Sequence, residues 1–76
     1  MTRYRRTMAS DESVVGKLGT VTLRILADRA GEIVVHIRGG TEVYMAVSDI
    51  PLEKGAEVLV IGQRSARTVE VTPFVA

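Results

Sequence analysis

The run Glu32-Ile-Val-Val-His-Ile-Arg38, then Gly39-Gly40, then Thr41-Glu-Val-Tyr-Met-Ala-Val47 decides the fold. In its first half Ile33, Val35 and Ile37 share one face, and Glu32, Val34, His36 and Arg38 share the other. Alternation of period two with β-branched residues marks a strand with one face buried. The Gly-Gly pair follows at once, and tight hairpin turns need the positive φ that glycine supplies. The second half is therefore the returning strand. Its inward face stays open at this level, since Val43/Met45/Val47 and Tyr44/Ala46 are both apolar sets.

Working outward, Gly19-Thr-Val-Thr-Leu-Arg-Ile-Leu26 alternates in the same way and predicts a strand before the hairpin, with Val21, Leu23 and Ile25 facing in. Asp28-Arg29-Ala30-Gly31 turns the chain between them. After the hairpin, Ser48 to Gly55 breaks the pattern, and Pro51 cannot donate to a central ladder. Ile50 and Leu52 are expected to plug one end of the molecule. Glu57-Val-Leu-Val-Ile-Gly62 predicts a fourth strand, apolar on both faces. Ala66-Arg-Thr-Val-Glu-Val-Thr72 predicts a fifth, with Val69 and Val71 inward and Pro73 ending it.

Five short strands with tight turns predict an all-β, five-stranded OB-type β-barrel. An open sheet of this size would leave two edges and a second apolar face in water. The expected core is Val21, Leu23, Ile25, Ile33, Val35, Ile37, Val58, Val60, Val69 and Val71, closed by Ile50 and Leu52. Residues 13–76 form this domain. Residues 1–12, polar and containing Arg3, Arg5 and Arg6, read as a flexible tail, or as a basic segment lying beside a membrane. With 76 residues and no cysteine, the barrel depends on aliphatic packing alone.

At this point the order of residues resembles a known family. Val15-Gly16-Lys17-Leu18-Gly19-Thr20-Val21 resembles the opening Gly-x-x-Gly-x-Val phrase of the NfeD-like C-terminal domain. Gly31, leading into an alternating strand, and Tyr44-Met45-Ala46-Val47-Ser48 resemble its second and third strands. Ile50 through Val60 is similar to its Ile…Lys-Gly-x-x-Val-x-Val phrase, although the five-residue step from Ile50 to Gly55 is longer than is usual there. Thr68-Val69-Glu70-Val71-Thr72-Pro73 resembles its closing Leu-x-Val-x-Pro. Together these phrases run from about Val14 to Pro73.

The resemblance implies a soluble OB barrel attached to membrane helices that this chain does not include, at the cytoplasmic face of the membrane. It also implies partnership with stomatin-, prohibitin- or flotillin-type membrane scaffold proteins. Long members of the family carry a serine protease upstream. Nothing of that protease is present here, so its activity does not transfer.

The chemistry legible in the residues agrees with a module that is not an enzyme. His36 is the sole histidine and falls on an outward strand position. Metal sites need three or four converging ligands, and no spacing here offers them, so no cofactor or metal is expected. Ser13, Ser48 and Ser65 lie at turns, outside any Gly-x-Ser-x-Gly elbow. Asp49 and Glu53 read as solvated loop residues, Asp49 as a turn cap.

A second reading is a single-stranded nucleic-acid-binding OB domain. From Ser13 onward seven basic residues (Lys17, Arg24, Arg29, Arg38, Lys54, Arg64, Arg67) face seven acids (Asp28, Glu32, Glu42, Asp49, Glu53, Glu57, Glu70), so the basic field such binders use is missing. Tyr44 is the one aromatic available on the barrel for stacking.

The remaining signal is apolar. If Val58 and Val60 face the core, Leu59 and Ile61 face away from it. Val34, and Tyr44 if its strand presents that face, point outward too. Either a loop or the tail covers them, or they meet a protein partner or a second copy of the domain. Leu59, Ile61, Val34 and Tyr44 are the candidate partner-binding residues.

Overall fold

The computed structural model describes residues 14–37 and 39–75. The tail expected over residues 1–12 lies outside the described residues. Five strands form: β1 Leu18–Leu23, β2 Gly31–Ile37, β3 Gly40–Val47, β4 Glu57–Gln63 and β5 Thr68–Pro73. They close into a barrel in the order β1-β2-β3-β5-β4. Every pairing is antiparallel except the short parallel seam of β3 with β5, which joins Met45↔Thr68, Ala46↔Val69 and Val47↔Glu70.

The β2–β3 hairpin is the most regular part. Its ladder runs without a slip from Gly31↔Ala46 to Ile37↔Gly40. Gly39 holds φ at +84° in the turn, a conformation L-residues resist. This register settles the face of β3: Tyr44 pairs with Ile33 and Ala46 with Gly31, and Ile33 and Ala46 are fully buried. Val43 and Met45 face out, 47% and 53% exposed.

The core is aliphatic throughout: Val14, Val21, Ile25, Ile33, Val35, Ala46, Leu52, Val58, Val60, Val69 and Val71 are buried, and no polar or charged side chain among the described residues joins them. Nine of the twelve expected core positions are thus confirmed. Ile37 is half-buried at the barrel rim, packed against the core from one side.

Leu23 was expected inside and is 59% exposed. The cause is a bulge. Val21 pairs with Ile33 and Leu23 with Glu32, so Thr22 is an extra residue and the alternation flips by one. Ile25 returns to the core by a bridge to Leu52, in which each N–H donates to the other's carbonyl (2.9 and 2.8 Å). At the bulge β1 presses so close to β2 that a Cβ on Gly31 would sit within contact of the Leu23 carbonyl oxygen and 2.5 Å from that of Arg24.

Ile50 was expected as a plug and is 48% exposed, whereas Leu52 does seal the barrel. The Ile50 N–H donates to Ser48 Oγ (3.2 Å), and this small turn swings the side chain outward before Pro51. Val14 was not expected in the core. It is buried because the chain after it runs along β4, with Gly16 N–H donating to the Val60 carbonyl (2.8 Å) and Val60 N–H to that of Lys17 (3.0 Å).

Candidate protein-docking surface

Each predicted surface residue takes its position from its strand. Leu59 on β4 pairs with Leu18 on one side and Thr72 on the other, all facing outward, and is half-buried between them. Leu18 remains 45% exposed. Ile61 is the extra residue of a second bulge: Val60 pairs with Val71 and Gly62 with Glu70, leaving Ile61 unopposed and 54% exposed. The pair Leu59 and Ile61 therefore lies outside the core, flanked by Leu18 on one side and by Thr72 and Glu70 on the other.

Val34 lies around the barrel from that pair. It sits in an outward row, Glu57–Thr20–Val34–Val43, that crosses β4, β1, β2 and β3. Tyr44 does not belong to the outer surface. It faces inward opposite Ile33 and packs against the core, and Arg67 covers its ring with the guanidinium carbon 4.7 Å from the centroid. The four predicted residues thus resolve into one outward pair, one outward residue on another part of the wall, and one inward tyrosine. Leu18 joins the surface unpredicted by its own strand pattern. It stands directly opposite Leu59 on the outer face, and only the pairing reveals that.

Arg67 Nη1 also donates to Glu42 Oε1 (2.9 Å), and Nη2 donates to the Val43 carbonyl. Arg64 pairs with Glu70 (2.5 Å) on the outer side of β4 and β5. Both ion pairs are well exposed, so each contributes little stability.

A cleft of about 580 Å³ opens where β3 leaves β5. Its walls are the 26–30 hairpin, the 47–50 segment and the outer side of β4 and β5, including Ile61 and Thr72. Among the described residues no three of His, Cys, Asp or Glu converge as metal ligands. His36 is exposed on β2, and the Ser48 hydroxyl is engaged in its local turn. Among the described residues no helix is long and apolar enough to cross a membrane.

These features define a small aliphatic barrel of the OB class whose distinctive surface is apolar and lies on its strands. The family model for the NfeD C-terminal domain matches residues 18–72, and the chain belongs to that family. Two solved structures agree. The soluble domain of the NfeD protein YuaF from Bacillus subtilis is 31% identical with a TM-score of 0.73, the match covering 86% of this chain and 79% of that one. The C-terminal domain of stomatin operon partner protein 1510-C from Pyrococcus horikoshii is 30% identical with a TM-score of 0.65, covering 86% of this chain and 94% of that one. No curated protein matches the chain.

Proposed function

We propose that this chain is a non-catalytic interaction module of an NfeD-type, membrane-associated protein, and that it docks a stomatin-, prohibitin- or flotillin-type scaffold protein at the cytoplasmic face of the membrane. The observation that carries the reading is the outward face of β4 with β1: Ile61 and Leu18 are 54% and 45% exposed on either side of Leu59. Aliphatic groups held in water on the barrel wall gain roughly 25 cal/mol per Å² when a partner covers them. The P. horikoshii domain is named as a stomatin operon partner, which supports a stomatin-type protein as the first partner to test. A cysteine-free chain fits a reducing compartment.

The test is capture of a stomatin-type protein from the same genome by the full 76-residue chain, beside the double variant Leu59→Ser with Ile61→Thr. The variant is expected to keep the barrel's amide spectrum and to lose capture by roughly tenfold or more, as expected when most of two aliphatic contacts is removed. Undiminished capture by the folded variant refutes this surface as the contact. A concentration-dependent dimer that the variant abolishes, without any scaffold capture, assigns the surface to a second copy and refutes the scaffold reading.

A further inference from the structure

The parallel seam between β3 and β5 has two ends, and the chain treats them differently. At the end where β5 begins, the gap is sealed. Arg67 reaches across it to the Glu42 carboxylate and the Val43 carbonyl and lies over the Tyr44 ring. This occupies the edge of β3 that would otherwise be free to pair with another chain. At the other end the ladder stops at Val47↔Glu70, while β5 runs on through Val71, Thr72 and Pro73. Thr72 lies opposite Leu59 and the Phe74 N–H donates to the Glu57 carbonyl (3.0 Å), so by alternation the carbonyls of Val71 and Pro73 point away from β4.

The 580 Å³ cleft opens at that unsealed end and falls within the range of binding clefts, roughly 300–1,000 Å³. Ile50 and Ile61 line it, each about half exposed. Its charges are not balanced. Arg64 is spent on Glu70, which leaves Asp28 and Asp49, neither ion-paired to a described residue, against Arg29 alone.

We propose that this cleft docks a short extended segment of a partner protein in which apolar and basic side chains alternate. An extended segment laid beside β5 donates N–H groups to the outward carbonyls of Val71 and Pro73 and sends successive side chains to opposite sides. One set covers Ile50 and Ile61, and the other meets Asp28 and Asp49. Pro73 offers no N–H, so the ladder is short and the side chains carry the selectivity. The proposal rests on reading the domain as an interaction module and adds the chemistry of the bound segment.

Random octapeptides displayed on phage and selected on the full 76-residue chain test it, with synthetic winners titrated into the labelled protein. The expected winners alternate aliphatic residues with Lys or Arg and shift the amides of Val71, Thr72 and residues 47–50. Ile50→Ser weakens them by about tenfold, the loss of a half-exposed isoleucine's contact. The pair Asp28→Asn with Asp49→Asn weakens them several-fold and flattens their salt dependence.

Leu59 does not line the cleft, so Leu59→Ser is expected to leave the peptides bound. Because Ile50 is exposed, the free Ile50→Ser variant folds, and its amide spectrum verifies this. Failure to enrich any peptide, winners of acidic or proline-rich type, or winners indifferent to Ile50→Ser overturn the cleft as the site. Peptides sensitive to Leu59→Ser but not to Ile50→Ser overturn it while leaving the interaction module standing. Cleft-bound peptides without scaffold capture overturn the scaffold partner and leave the cleft standing.

Discussion

Replacing Gly31 by alanine separates two physical expectations of opposite sign. By propensity alone a strand glycine is a weakness, and alanine regains roughly 0.5–1 kcal/mol of backbone entropy. Gly31, however, is buried on β2 directly against the bulge of β1. The added Cβ lands on the Leu23 carbonyl oxygen and 2.5 Å from the Arg24 carbonyl oxygen. Both obstacles are main chain, so no rotamer relieves them. Either the bulge is lost or β1 and β2 separate, and both routes disturb Val21 and Ile25 in the core.

Overpacking costs typically 1–3 kcal/mol, and main-chain obstruction places this case at about 3 kcal/mol. A domain of this length holds only about 4–11 kcal/mol in total. With a urea slope near 1 kcal/mol/M, the midpoint falls by about 3 M. Far-UV circular dichroism follows the transition. Gly62→Ala is the control, because its Cβ meets only the end of the Glu70 side chain, at 2.9 Å, which swings aside. A Gly31→Ala midpoint equal to or above the parent's refutes the close-approach argument and leaves propensity as the governing term.

Val60→Ala is expected to cost roughly 1–3 kcal/mol and Leu23→Ala under about 0.5 kcal/mol, though both were core positions by alternation; denaturant midpoints give the comparison. Arg67→Ala is expected to cost about 1 kcal/mol and to speed amide exchange at Val43 and Met45, whose N–H groups face the sealed edge of β3. Unchanged exchange there refutes the sealing role.

Much of the barrel is legible in the residues because period two reports which face is buried wherever strands pair residue for residue. That holds along β2 at Ile33 and Val35, and along β5 at Val69 and Val71. It also places Leu59 and Ile61 outside the core, so one pair of the candidate surface is written in the order of side chains.

The rest belongs to the tertiary structure. A bulge is a mismatch between two strands, and neither strand's own pattern contains it; Thr22 and Ile61 become extra residues only against Ile33–Glu32 and Val71–Glu70. That mismatch turns Leu23 to solvent and aims Ile61 at the cleft. The inward face of β3 was undecided between two apolar sets until pairing with β2 buried Ala46 and turned Tyr44 inward under Arg67. Closure through the parallel seam of β3 and β5 brings together segments more than twenty residues apart, and so creates both the sealed gap and the open one. Local patterning encodes which way a side chain points along its own strand, while what stands opposite it is settled only when the strands meet.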